Sequence, residues 1–288
     1  MPMVMMFNLK GGVAKTTNTV ALAEWFAAKG KKVLLIDADH QCMASELLLG
    51  EQRLELAEKN RQTLHDLLAA MLSERFAPSS IPSFISKFST PVKPIRPNLD
   101  CLACSHRIDE FSTNMAKAKK GYQSNEAFLQ QLNRLRRVFS IWCNRHYDFT
   151  LVDCPPSFAL QVQFLLGSAD ALIIPSIPDR LSIRGSLYLL NRMKKRGYTR
   201  IRCLGTLWSM VRVQVAKHKE IMRLVQDSLG EYSQMPIPFT TIIPNMGAIA
   251  DAMDTQTEYK SIKEKYKGES ARLFSQLCKE IAERIIEF

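Results

Sequence analysis

A glycine-bearing turn wedged between a buried strand and a helix dictates the architecture of this chain. Val4-Met5-Met6-Phe7-Asn8 has the character of a buried strand, and it runs into Lys10-Gly11-Gly12-Val13-Ala14-Lys15-Thr16-Thr17. An apolar periodicity follows at Val20, Leu22, Ala23, Phe26 and Ala27, which predicts a helix. Gly30 closes that helix. Lys32-Val33-Leu34-Leu35-Ile36-Asp37 is then a continuous apolar run of the kind found when a parallel strand is covered on both faces. Together these segments make a βαβ unit of about forty residues.

The remaining pattern extends the same architecture. Residues 41–72 predict helix in two pieces, and 73–97 form a long irregular connection carrying Pro78, Pro82, Pro91, Pro94 and Pro97. A short strand is expected at Leu99–Ala103, an amphipathic helix at 124–146, and strands at Phe149–Asp153 and Ala171–Pro175. Helix 181–196, strand 201–209, helix 214–229, a short strand near Thr240–Ile243 and two final helices complete the order. This alternation specifies an α/β fold with a mostly parallel central sheet and helices on both faces. With 288 residues, 46% of them hydrophobic, the chain can bury one large core, and no internal repeat or linker divides it. The expectation is a single domain over 1–288 with a variable Pro-rich insertion around 73–125.

The turn also suggests a ligand. Backbone N–H groups and the positive end of a helix dipole converge on one point, which suits a triphosphate. In that arrangement Lys15 lies on the β/γ-phosphates and the Thr16 hydroxyl ligates Mg²⁺. The general pattern G-x-x-x-x-G-K-[ST] wants glycine before the lysine, where this chain has Ala14. The fit is instead to K-G-G-x-x-K-T-T, the deviant Walker A box, whose extra lysine is Lys10. Two acidic sites follow apolar strands, where an open α/β sheet places its binding crevice. They are Asp37-Ala38-Asp39-His40-Gln41 and Asp153-Cys154-Pro155-Pro156, and Asp153 is suited to the magnesium shell. Either aspartate alone could be a helix cap or strand-end residue; the ordered set of three elements is far more specific.

At these residues the sequence resembles ParA-type ATPases of the ParA/MinD deviant Walker A superfamily. Lys10–Thr17, Leu35–Gln41 and Tyr147–Ser157 look like the Walker A, switch I and Walker B segments. The likeness continues through Pro175, Pro178-Asp179, Ser182, Gly185 and Gly205–Met210, leaving out about 50–125. The resemblance implies a P-loop NTPase fold and slow Mg²⁺-dependent ATP hydrolysis stimulated by a partner. It implies that Gly11, Gly12, Val13, Ala14, Lys15, Thr16 and Thr17 cradle ATP, with Ser209, Met210, Pro244 and Asn245 near the adenine. Thr16, Asp37 and Asp153 would serve the metal. Lys10 would reach a partner's phosphates in an ATP-sandwich homodimer, and Asp39 would orient the attacking water. The departures are Ala14, and His40 and Cys42 where Pro and Gly are common.

Charge supplies the remaining expectation. The formal net charge is +11, and it is concentrated. Arg192, Lys194, Lys195, Arg196, Arg200, Arg202, Arg212, Lys217, Lys219 and Arg223 face a single acid, Glu220, within one window of +9. A second window, 115–145, carries +6, so the remainder is slightly acidic. Such clusters suit sequence-independent, salt-sensitive binding to DNA, although any one charge run can be only a solvated helix face. The resemblance points the same way: a cytoplasmic, nucleoid-associated ATPase that partitions or positions a cargo with a ParB-like adaptor.

Other classes are weighed beside this one. A membrane-surface ATPase of the MinD kind would need a basic amphipathic C-terminal helix, yet the last segment bears Glu280, Glu283 and Glu287 on its polar face. A core-packing helix, and no membrane partner, is expected there. A metabolic or metallocluster-assembly ATPase is the other alternative, but Cys101-Leu102-Ala103-Cys104 supplies only half of a four-thiolate site and a strand would point its thiols to opposite faces. The N-terminus has no signal-peptide pattern, and the long uncharged run Cys154–Ala169 is broken by Pro155 and Pro156. Seven cysteines without a secretory signal favour reduced thiols in a soluble, cytoplasmic protein.

Overall fold

The computed structural model describes residues 2–254 and 257–286. The elements run β1 (Met3–Met6), α1 (Lys15–Ala28), β2 (Val33–Asp37), α2 (Met43–Leu49), α3 (Glu51–Lys59) and α4 (Leu64–Met71). After two 3₁₀ turns at Pro78–Phe84 and Lys93–Asn98 come β3 (Leu99–Leu102), α5 (Phe111–Lys119), α6 (Asn125–His146) and β4 (Phe149–Asp153). Then follow α7 (Leu160–Leu166), β5 (Ala171–Ser176), α8 (Arg180–Lys195), β6 (Arg202–Trp208) and α9 (Ala216–Gln226). The chain finishes with α10 (Gly247–Asp251), α11 (Ile262–Lys265) and α12 (Gly268–Ile286).

Among the described residues six strands form one sheet in the order β3-β2-β4-β1-β5-β6, and every ladder is parallel. Alternation along each strand divides the core into two layers. Val4, Met6, Val33 and Leu35 pack with α1, α2 and α12 on one face. Met3, Met5, Leu34 and Ile36 pack with α4, α6, α7 and α8 on the other. Because all strands run the same way, the turns after β1, β2 and β4 meet at one end of the sheet, and β4 lies in register with β2 so that Asp37 stands beside Asp153.

Three local expectations need correction. The segment 41–72 holds three helices rather than two, because Gly50 with φ 72° breaks the first and Thr63 caps a third through its bond from the Asp66 N–H. No strand forms near Thr240–Ile243. Pro236, Pro238 and Pro244 remove the donors a ladder needs, and only isolated bridges, Thr206 to Pro238 and Val211 to Pro244, remain. Helix α5 lies in the stretch before 124 where no helix was expected, and α10 is an addition to the two final helices.

The C-terminal helix packs into the core as its pattern predicts. Leu273, Phe274, Leu277, Cys278 and Ile281 are buried against the α1 layer. Its polar face is also engaged. The Arg284 guanidinium donates to the carbonyls of Leu204, Ile237 and Pro238 and lies 4.0 Å from the Phe239 ring, while Glu280 accepts from the N–H groups of Thr240 and Thr241. Glu287, counted in that face, lies outside the described residues.

Candidate nucleotide site and basic surface

The loop after β1 shows how the sequence makes a phosphate cradle. Gly12 has φ 72° and Ala14, capping α1, has φ 58° and ψ 36°, so two left-handed residues turn the loop back on itself. For an L-residue that conformation costs about 1–2 kcal/mol. Ala14 therefore carries backbone strain that glycine would relieve. After the entropy cost of glycine, about 0.5–1 kcal/mol, Ala14→Gly is expected to stabilise the fold by roughly 0.5–1 kcal/mol. Urea unfolding checks this, and a lower midpoint would contradict the assignment of strain.

Inside the cradle the charged groups are buried and close. The Lys15 ammonium donates to the carbonyl of Lys10 at 2.9 Å, and burial pulls its pKa below the usual lysine value against the attraction of Asp153. The Thr16 hydroxyl donates to Asp153 Oδ2 at 2.7 Å, and Thr19 reaches Asp153 Oδ1 at 3.3 Å. Asp153 is fully buried; burial first and Asp37 second push its pKa up to about 8, against the Thr16 bond. Oxygen donors beside under-compensated acids are the chemistry of a Mg²⁺ site. Among the described residues no cluster of three or more His, Cys, Asp or Glu side chains could hold a metal alone. A magnesium site here would need phosphate oxygens and water to complete its shell, which fits an ion that arrives with a nucleotide.

Asp37 ends β2 beside Asp153 and also organises the turn that follows. Both of its oxygens are occupied: Oδ1 accepts the Asp39 N–H at 3.0 Å, and Oδ2 accepts the N–H and the hydroxyl of Ser45 at 2.8 and 2.7 Å. It therefore shapes the turn from β2 into α2. Burial raises its pKa to about 6 against those bonds. Asp39 is held at that turn by the Gln41 N–H, with His40 Nδ1 3.5 Å from its Oδ1. His40 thus lies beside Asp39 where proline is common, and Cys42 takes φ 55° where glycine is common.

Lys10 is also engaged within its own chain. Its ammonium lies 3.0 and 2.9 Å from the two oxygens of Asp179, the residue that caps α8 by accepting the Ser182 N–H. To reach a partner's phosphates it must leave that carboxylate. The sequence holds Asp179 within the recognised motif but gives no sign of this pairing.

The segments expected near the adenine do come together. Asn18 Nδ2 on α1 donates to Ser209 Oγ at 2.8 Å, Met210 has φ 55°, and the N–H of Asn245 donates to the Val211 carbonyl, which pins Pro244-Asn245 beside Ser209-Met210. Asn18 Oδ1 is buried without a partner, an unmet acceptor at this end of the site.

The basic window, contiguous in sequence, is divided in space. Arg200 and Arg202 lie at the start of β6, whereas Arg212, Lys217, Lys219 and Arg223 follow its end, about 20 Å along a seven-residue strand. Arg192 and Arg196 lie 4.9 and 5.5 Å from the Phe158 ring, and Arg196 also bonds Gln163. Lys194, Lys195, Arg200, Arg212, Lys217 and Lys219 are exposed. In the second window Arg136 is half-buried against Phe164 and bonded to the Gln163 carbonyl, which makes it a packing residue. Cys101 and Cys104 enter opposite core layers and are fully buried, so together they form no paired ligand set.

Comparison with known proteins shows the family and the fold. The AAA domain family matches residues 1–201. The chain is 27% identical over 280 residues to the chromosome-partitioning ATPase Soj of Treponema pallidum, spanning 96% of this chain and 95% of Soj. In fold it is similar to the McdA–ATP complex from Cyanothece, with a TM-score of 0.71 at 17% identity over 98% and 96% of the two chains. It is similar also to pNOB8 ParA, with a TM-score of 0.70 at 20% identity over 99% of each. The described site thus sits on a scaffold shared with nucleotide-dependent partition proteins, and the chain belongs to the ParA/MinD-type P-loop ATPases, a family of nucleotide-hydrolysing enzymes within the AAA domain group.

Proposed function

We propose that this protein is a Mg²⁺-dependent ATPase that dimerises around ATP, binds DNA without sequence preference, and positions a cargo through an adaptor that stimulates hydrolysis. The observation that carries this reading is the rim of the nucleotide end. Lys10 is poised there on Asp179, beside Leu181 at 69% exposure, with Met43 of the switch turn at 48%. Exposed apolar side chains around an interchangeable ion pair suit a face that a second copy covers. The Soj and ParA relatives, named for chromosome partitioning, support the partition reading. The burial of the α12 stripe counts against MinD-like membrane attachment through that helix.

Within this reading the backbone N–H groups of residues 11–17 and the dipole of α1 hold the phosphates, and Lys15 moves from the Lys10 carbonyl onto them. Thr16 and, through water, Asp153 and Asp37 would hold Mg²⁺, which neutralises phosphate charge. Asp39 orients water. Lys10 exchanges Asp179 for the partner's nucleotide, so ATP becomes part of the interface. Lysines and arginines of α8 and α9 then face DNA from two copies at once.

The test is DNA binding with ATP, ADP or no nucleotide at two salt concentrations. Wild type should bind only weakly without ATP. Lys15→Ala should lose the ATP effect, and Asp39→Ala should keep the dimer on DNA. Replacing Lys194, Lys195 and Arg200 by Ala should lower the slope of log affinity against log salt by about 2–3, at about 0.9 per phosphate contact. Nucleotide-independent binding by wild type would defeat the proposal.

A further inference from the structure

A cavity of about 350 Å³ lies at the end of the sheet opposite the nucleotide site. It opens where β2, β3 and β4 begin, lined by Lys32 before β2, Asp100 in β3 and Tyr147 before β4. About 15–20 Å of parallel strand separates it from the phosphate loop. Its apolar walls are aromatic. Trp142 is stacked on His146 at 4.4 Å, Tyr147 lies 6.0 Å from Trp142, and Phe88 is 55% exposed.

Phe88 is the least ordinary of these residues. It has φ 56°, the left-handed region that bulky side chains avoid. The chain is held there from both sides: the Phe88 N–H donates to Asp100 Oδ1, and Arg53 donates to the carbonyls of Lys87 and Phe88 at 2.6 and 3.1 Å. Flanking Ser86 and Ser89 pair with β3 through Cys101 and Leu99. Strain fixed by so many bonds, to present an exposed aromatic ring beside a cavity, is the pattern of a binding site.

Charge decides what binds. Asp100 is already satisfied, accepting from the Lys87 ammonium at 2.7 Å, the Tyr147 hydroxyl at 2.8 Å and the Phe88 N–H. The Lys32 ammonium makes no hydrogen bond or ion pair among the described residues, and Lys31 beside it is exposed. His146 uses Nδ1 on the Trp142 carbonyl, which leaves Nε2 for a ligand. The Asp148 carboxylate accepts the Lys32 N–H at 2.9 Å and Lys87 is paired with Asp100, so Lys31 and Lys32 leave one unit of positive charge at the rim of an aromatic interior. A cavity of this size takes one or two side chains rather than a run of bases.

We infer that this cavity is a docking site for an acidic peptide of a partner protein, anchored by one aromatic side chain between Trp142, Tyr147 and Phe88 and steered by Lys32. It lies away from the ATP-dependent dimer face, so an occupant is free to remain bound through the nucleotide cycle. Neither the cavity nor its occupant depends on DNA binding.

The experiment selects a displayed library of random dodecapeptides against the full-length protein and then titrates the enriched peptides, made synthetically, by fluorescence anisotropy. The expected consensus is one aromatic residue flanked by Asp or Glu. Lys32→Glu and Phe88→Gly should each weaken binding at least tenfold, while ATP leaves it unchanged. Phe88→Gly relieves the left-handed strain and so should fold; retained ATP binding by both variants checks this. Absence of enrichment, a consensus without acids, unchanged affinity in either variant, or displacement of the peptide by a single-stranded oligonucleotide would each overturn the inference.

Discussion

Glu24→Gln is expected to cost about 3–5 kcal/mol of folding stability, the penalty for leaving a buried charge without its counter-ion. Glu24 sits on α1 among apolar neighbours, fully buried, and its Oε1 accepts from the Lys265 ammonium at 2.9 Å and from the Thr90 hydroxyl at 2.7 Å. Oε2 accepts from the Tyr266 hydroxyl at 2.7 Å. The Lys265 side chain is equally buried and lies between the Tyr259 and Tyr266 rings, 5.8 and 5.6 Å from their centroids. With Glu24 neutralised, that ammonium keeps no carboxylate. Thr90 belongs to the Pro-rich connection and Lys265 to α11, so a single carboxylate ties two peripheral segments to the helix that begins at the phosphate loop. The double variant Glu24→Gln/Lys265→Met should recover much of the loss, because it removes both charges at once. Urea denaturation of the two single variants and the double gives the coupling; a loss below about 1 kcal/mol for Glu24→Gln would mean that the pair does not hold these segments.

Such a pair could not be read from the chain. Glu24 and Lys265 are 241 residues apart, and nothing local distinguishes Glu24 from a solvent-facing residue of an amphipathic helix. What the sequence did display was local or repetitive. Continuous apolar runs marked β1, β2, β4 and β5, and the turn Lys10–Thr17 marked the phosphate site, because these depend on the order of neighbouring residues. The short strand predicted at Thr240–Ile243 failed for the opposite reason: apolar content was present, but flanking prolines denied it a ladder. Asp37 and Asp153 do lie side by side, yet their different partners, Ser45 and Thr16, appear only when the turn after β2 folds back. Likewise the pairing of Lys10 with Asp179 and the division of the basic window by β6 are products of topology. Charge counted along the chain measures amount, whereas a surface requires direction.

Raising the pH from about 5.5 to about 8.5 is expected to destabilise the nucleotide-free protein by a few kcal/mol, the second large effect. Burial raises the pKa of Asp37 to about 6 and of Asp153 to about 8, while an unfolded aspartate titrates near its ordinary value of 3.8. Between those limits the folded state keeps protons that the unfolded state has released, so stability falls with rising pH and the loss is complete above the higher folded value. A pKa one unit higher in the folded than in the unfolded chain corresponds to about 1.4 kcal/mol, and because the two carboxylates stand side by side in register they titrate as a pair rather than as independent sites. The direction is opposite to that of surface carboxylates in ion pairs, such as Glu258 with Lys93 and Arg96, which gain from ionisation at lower pH. Asp153→Asn should therefore flatten the profile of urea midpoints across this range, and a wild-type profile that is already flat would mean that the buried pair ionises without penalty. Under the proposed function, Mg²⁺ and ATP should flatten it too: positive charge placed at Thr16 and Asp153 favours the ionised carboxylates and draws their pKa values down. The same buried acids that weaken the empty fold at alkaline pH would then make ligand binding strongly stabilising there, so the rise in melting temperature on adding Mg²⁺ and ATP should be larger at pH 8.5 than at pH 6.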